Sequence, residues 1–221
     1  MKSVLVVAAH PDDEALGCSG TMARHIKNGD KVAVVFMTNG IGARNPRSQD
    51  IDSRSLAANN ACKSIGITSV TYNNFPDNSL DTVSFLEVVK SVEDSIQKLN
   101  PQIIYTHHKG DLNIDHQITH KAVLTACRPQ PGHSVKEIYT FETLSSTEWQ
   151  TPGDLPFIPN HFVDISEHIE GKKNVLQHYG DEMRDEPHSR SIENSLRLAA
   201  LRGSTVGVNF AEAFQVVRVI R

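Results

Sequence analysis

The sequence predicts an α/β fold: a doubly wound sandwich with a mostly parallel central sheet flanked by helices. Two observations carry this. Short apolar runs alternate with longer segments of helical periodicity through the first half of the chain. The runs SVLVVAAH (3–10) and KVAVVFMTNG (31–40) are apolar almost throughout, as in strands buried on both faces. Such alternation implies parallel strands joined by right-handed crossovers.

The elements follow in order. The first strand, 3–10, leads into DEALGCSGTMARHIKNGD (13–30), where Ala15, Leu16, Met22, Ala23 and Ile26 recur at helical spacing and Asn28-Gly29-Asp30 supplies turn chemistry. The second strand, 31–40, is followed by GIGARNPRSQDIDS (40–53), a polar segment rich in turn residues that reads as either a mobile lid or a plain surface loop. A helix over 54–66 closes at Gly66, and TSVTYNNF (68–75) is a third strand. The segment 81–99 is a strongly amphipathic helix, and PQIIYTHH (101–108) is a fourth strand. A helix from Asp115 to Cys127 and a strand at 136–143 complete the regular part. Beyond residue 150 the pattern loosens. HFVDIS reads as an edge strand, 166–183 and 191–203 as helices, and 212–220 as a final strand.

A chain of 221 residues fits one domain, 1–221. Its 38% hydrophobic and 22% charged residues exclude disorder. A net charge of −4 without a basic block gives a nucleic-acid partner no electrostatic support. No run approaches the ~20 apolar residues of a membrane span. The opening SVLVVAA is too short for a signal peptide and runs straight into charged residues. Cys18, Cys62 and Cys127 are odd in number, widely spaced and form no CxxC, which favours a reducing compartment and a cytoplasmic location. A homo-oligomer is compatible with all of this.

In an open α/β sheet, ligands bind beyond the carboxyl ends of the strands. Three chemistry-bearing stretches fall there: HPDDE (10–14), FPDN (75–78) and HHKGDLNIDH (107–116). His10 and Asp13 lie three residues apart at a strand-to-helix turn, and His116 offers a third donor. Two histidines and one carboxylate leave positions open for water and substrate, as a catalytic zinc site requires. A cation would also offset the repulsion among Asp12, Asp13 and Glu14. Other readings stand beside this one. HPDDE also fits a helix N-terminus with acids complementing the dipole. His120 is as legal a ligand as His116. His10, Asp12 and His116 match the iron triad of oxygenases, although those enzymes are usually all-β. GxSxG, GxxxxGK[ST] and GxGxxG are absent.

At these residues the chain resembles the LmbE-like (PIG-L) zinc-dependent N-deacetylases. AHPDDEALGCSGTMA and THHKGDLNIDHQITHKAV match that family's two specific motifs. SRSLAANNACKSIGI, FPDN, YTFETLSSTEW, YGDEMRDEPHSRS and RGSTVGVNFAEAFQVVR are weaker matches. The resemblance implies a Rossmann-like sandwich of the LmbE-like fold, and hydrolysis of the acetamide of an N-acetylated amino sugar, a sugar nucleotide or a sugar conjugate, with release of acetate. It implies Zn2+, with Fe2+ the alternative divalent metal, on His10, Asp13 and His116, and Asp12 as the general base. Arg54 and Asp77 match positions that hold the sugar. Asn113 stands where some branches carry a histidine that helps stabilise the oxyanion, so Asp111 and Asn113 take over part of that work. Ala57 stands where many members carry Glu. His188 matches a recurrent segment that reaches the site from the C-terminal half. His107 and His108 either support the ligands or simply end a strand. Trp149 fits either a sugar-stacking or a packing role, and Arg190 and Arg202 read as structural ion-pair or packing residues. Two further readings remain: a non-haem Fe(II) oxygenase, and a non-catalytic metal or sugar binder.

Overall fold

The structure, a computed structural model, describes residues 1–38 and 48–221, apart from the side chains of 48–52. Among these residues seven strands form one sheet: β1 (Ser3–Ala8), β2 (Lys31–Thr38), β3 (Ser69–Phe75), β4 (Ile103–His107), β5 (Glu137–Phe141), β6 (His161–Asp164) and β7 (Ala211–Val219). Their spatial order is β3-β2-β1-β4-β5-β7-β6. The first five pair in parallel, and β7 joins antiparallel to both β5 and β6. The sheet is therefore mostly parallel, with HFVDIS supplying its edge.

Among the described residues, six α-helices flank it: α1 (Asp13–Lys27), α2 (Ser48–Ser64), α3 (Phe85–Leu99), α4 (Ile114–Ala126), α5 (Ile169–His178) and α6 (Ile192–Ser204). The side chains of β1 alternate between two cores. Val4, Val6 and Ala8 pack with Leu16, Ala58, Ala61 and Val175 on the α1/α2/α5 side. Leu5 and Val7 pack with Val88, Val92, Ala122 and Val123 on the α3/α4 side. Burial on both faces is why the strand sequence is apolar at every position rather than at every second one.

Four boundaries differ from expectation, the first at the helix read over 81–99, which begins at Phe85 after a 3-10 turn over Leu80–Thr82. The helix read at 54–66 begins at Ser48, so the end of the segment read as a loop over 40–53 is helical. The remainder of that loop lies outside the described residues. The helix read over 166–183 stops at His178, where Tyr179 and Met183 turn into the core. The helix read over 13–30 is broken at Cys18 (φ −152°, ψ 18°). A buried ion pair serves the broken turn. Lys172 Nζ donates to the carbonyls of Ala15 (3.0 Å) and Leu16 (2.9 Å) and to Glu212 (2.7 Å). Glu212 in turn accepts from the Gly20 (3.0 Å) and Thr21 (2.7 Å) amides. Backbone groups freed by the break thus keep partners away from water.

The strand order reverses direction at β1, between β2 and β4. The crevice beyond the carboxyl ends of β1 and β4 is the switch point where such sheets bind ligands.

Candidate metal centre and catalytic cleft

The turn after β1 starts from Asp13. Its Oδ2 accepts the His10 amide (2.8 Å) and lies 3.2 Å from His10 Nδ1. From the first turn of α4, His116 brings Nε2 to 3.3 Å from that same oxygen and 3.3 Å from His10 Nδ1. The three donor atoms form a nearly equilateral triangle. Tetrahedral zinc bonds of ~2.0–2.1 Å separate ligand atoms by roughly 3.3–3.4 Å, so the triangle has the dimensions of three corners of such a site. His10, Asp13 and His116 are all buried, and the cleft opens beside them.

The remaining imidazole nitrogens face carboxylates. His10 Nε2 lies 3.1 Å from both Asp77 Oδ1 and Asp115 Oδ2. His116 Nδ1 lies 3.0 Å from Asp111 Oδ1. Carboxylate partners on the outer nitrogens orient ligating histidines and raise their basicity. Asp115 is itself fixed by the Leu80 amide (2.9 Å), and Asp111 by the Ser146 and Thr147 (2.6 Å) hydroxyls.

Burial alone would push His10 and His116 down. Asp115, Asp13 and Asp77 instead hold His10 well above the usual imidazole range, and Asp13 and Asp111 bring His116 to about 9. Burial works against Asp13 as a carboxylate, yet His116, His107 and His10 hold it well below the usual range. Positive charge on these imidazoles is thus favoured, and a divalent cation would supply it in place of their protons.

Asp12 is buried and stands apart from the triangle. Its backbone lies at φ 118°, a conformation non-glycine residues rarely adopt. The neighbouring acid holds that turn: Glu14 Oε2 accepts the Asp12 amide (3.1 Å) and Glu14 Oε1 accepts the Tyr179 hydroxyl (2.5 Å). Burial pushes the Glu14 carboxyl up to about 8. Asp12 Oδ2 receives Arg190 Nη1 at 2.9 Å and lies 3.6 Å from Arg54 Nη2. Burial raises its pKa, and the Arg190 and Arg54 charges counter the rise. The three consecutive acids thus have three separate sets of partners. Asp13, not Asp12, completes the triangle, so the alternative ligand set of His10, Asp12 and His116 is not the one brought together.

The cleft spans ≈ 480 Å³ including its open mouth, within the range of small-molecule sites (~300–1,000 Å³). Asp77, Arg54 and Asn113 line it, as does Asn78. Asn113 caps α4 through Oδ1, which accepts the Asp115 amide (2.8 Å), and its Nδ2 donates to Asn78 Oδ1 (3.0 Å). Arg54 also pairs with Glu182 (3.1 Å).

Other expected positions sit elsewhere. His120 turns away, with Nδ1 at the His107 carbonyl (2.9 Å), and takes no part in the triangle. Asp111 lies behind His116 rather than on the cleft wall. His188 does not line the cleft either. Its Nδ1 accepts the Arg190 amide (3.0 Å) and its ring meets Trp149 edge-on. His107 stacks on His116 with ring centroids 3.9 Å apart and accepts the Ala9 amide on Nε2 (2.9 Å). Burial and then His116 lower its pKa to about 4, so it packs behind the ligand as a neutral ring.

Sequence reasoning missed Asp115, Glu14, Glu182 and Arg190 as site residues. Asp115 had a signal, since it precedes His116 at the start of a helix that faces the site. Arg190, read as structural, had one too: with Glu182 it lies in YGDEMRDEPHSRS, the segment whose resemblance placed His188 near the site.

A doubly wound sheet with a cleft of imidazoles and carboxylates at its switch point gives the chain the LmbE-like α/β fold. Residues 5–127 match the family described as PIG-L, GlcNAc-PI de-N-acetylase. The "Uncharacterized deacetylase YaiS" of Escherichia coli K12 is 31% identical over 171 residues, covering 75% of this chain and 83% of that one. Among solved structures, the N,N'-diacetylchitobiose deacetylase from Pyrococcus horikoshii superposes with a TM-score of 0.81 at 20% identity, over 98% of this chain and 84% of its own. The 4-carboxy-2-hydroxymuconate hydratase GalB from Pseudomonas putida gives 0.79 at 21% identity, over 100% and 99%. The two structural likenesses show the shared fold alone. The chain belongs to the PIG-L (LmbE-like) family and is a deacetylase, a hydrolase of an amide bond.

Proposed function

We propose that this chain, working as one domain over 1–221 in the cytoplasm, is a zinc-dependent N-deacetylase of an N-acetylated amino sugar or its conjugate. The observation that carries the reading is the donor triangle of His10, Asp13 and His116, with the Asp12 carboxylate beside it and outside it. The likeness to the Pyrococcus horikoshii diacetylchitobiose deacetylase supports an amino-sugar acetamide as the substrate.

His10, Asp13 and His116 would hold Zn2+, which at such sites brings the pKa of water to ~7 and polarises a carbonyl oxygen. Asp12 takes the proton of the attacking water as general base. Arg190 fixes the Asp12 carboxylate for that transfer. Asn113 keeps one Nδ2 hydrogen on Asn78, which leaves the second for the acetamide oxygen as negative charge develops there. Asp12 then returns the proton to the departing amine. Asp77 and Arg54 orient the sugar hydroxyls. Asp111 acts through His116, and His188 acts through Arg190.

The deciding experiment measures acetate release from a panel of N-acetylated sugars, sugar nucleotides and glycosides. Zinc-loaded and chelator-stripped protein are compared. Release by the zinc-loaded protein that stops on stripping is expected. Acetate release that is indifferent to stripping, or none from any N-acetyl sugar, overturns the reading.

A further inference from the structure

We propose that Glu182 makes the cleft selective for N-acetylated sugars that carry no phosphate or carboxylate, by holding the Arg54 guanidinium that would otherwise receive such a group. This rests on the amino-sugar reading above and narrows it to uncharged substrates.

Arg54 stands on the cleft wall, where its planar fork of N–H donors has the geometry that phosphate and carboxylate oxygens fit. That fork is already engaged. Nη1 lies 3.1 Å from Glu182 Oε1. Nη2 donates to the Pro11 carbonyl at 3.0 Å and lies 3.6 Å from Asp12 Oδ2. The second guanidinium on the wall is engaged too. Arg190 gives Nη1 to Asp12 (2.9 Å) and Nε to Ser145 Oγ (2.7 Å). Among the described residues, the lining sets four carboxylates, Asp12, Asp13, Asp77 and Glu182, against these two cations. A divalent cation on the triangle would bring that wall to balance, not to net positive charge. An entering anion therefore meets no general attraction and needs a guanidinium of its own.

The chemistry accounts for three of the four carboxylates. Asp13 belongs to the donor triangle, Asp12 stands beside it, and Asp77 faces His10. Glu182 is left over, yet it is a buried, fixed side chain and not a loose surface acid. Its amide donates to the Tyr179 carbonyl (2.8 Å), and the Tyr179 hydroxyl is held in the core by Glu14 (2.5 Å). A phosphate seeking Arg54 would have to break the Arg54–Glu182 pair and then lie against the Glu182 charge. Such an arrangement discriminates by repulsion. A sugar hydroxyl carries no charge and can hydrogen-bond to the paired groups without separating them.

The test uses the zinc-loaded enzyme with three substrates: methyl N-acetylglucosaminide, N-acetylglucosamine 1-phosphate and N-acetylglucosamine 6-phosphate. The wild type is expected to favour the methyl glycoside over each phosphate by at least about tenfold in kcat/KM, through KM. Ratios within each variant cancel any change common to all substrates. Glu182→Gln and Glu182→Ala should each cut the preference about tenfold for at least one phosphate, and Glu182→Asp should keep most of it. Adding Arg54→Gln to either neutral variant should abolish the gain, because the phosphate then has no guanidinium to take. Melting curves check that the variants fold. A wild type that hydrolyses the phosphates as readily as the glycoside overturns the selector while leaving the deacetylase reading intact. So does a preference unmoved by the neutral variants, or a gain that survives the loss of Arg54. Acetate release from none of the three substrates defeats the amino-sugar reading, and the selector falls with it.

Discussion

Arg190 Nη1 donates to Asp12 Oδ2 across 2.9 Å, joining residues 178 positions apart in the chain. The contact gives a buried carboxylate its charge partner and aims it beside the donor triangle. Arg190→Ala should lower kcat ~10- to 100-fold, the scale of losing a hydrogen bond to a charged group, with zinc content unchanged. Burial already raises the Asp12 pKa and Arg190 opposes the rise, so the acidic limb of the pH–rate profile should move to higher pH. An unmoved limb would show that the pair does not govern the ionisation.

Asp12→Asn preserves shape and removes the base. Zinc should still bind stoichiometrically, because Asp12 lies outside the triangle. The rate should fall at least ~100-fold, the usual scale for loss of a general base. Metal analysis alongside steady-state kinetics separates the two effects, and near-normal turnover would remove Asp12 from the role.

His116 and His120 lie one helical turn apart on α4, yet only His116 enters the donor triangle. His116→Ala should lose zinc on dialysis, whereas His120→Ala should retain it. Elemental analysis of the two dialysed variants decides this, and the opposite pattern would overturn the ligand assignment.

Gly17 packs α1 against the sheet. A Cβ placed there would lie 2.3 Å from the Phe141 ring. Gly17→Ala should destabilise the protein by ~1–3 kcal/mol through overpacking, despite alanine's better helix propensity. For a chain of this size, each kcal/mol lowers Tm by ~2–4 °C. A thermal melt no lower than wild type would mean that Phe141 moves aside freely.

The strands and most helices were legible because apolar runs and helical periodicity are local patterns. Where they failed, a non-local cause took over: the break at Cys18 persists because Lys172 and Glu212, more than 150 residues away, partner the freed backbone groups. The candidate metal donors were legible too, since HPDD and NIDH each sit at a strand end and parallel topology brings those ends together.

The sequence by itself determined the mostly parallel sheet and the residue types available at its strand ends, because hydrophobic pattern and crossover handedness leave few arrangements. Only the tertiary structure decided the division of labour among near-identical neighbours. It set Asp13 in the triangle and Asp12 on Arg190, chose His116 over His120, and drew Asp111 behind a ligand. Those choices depend on side-chain direction and on partners brought from distant segments, and a buried charge takes whichever partner the packed fold places within hydrogen-bonding reach.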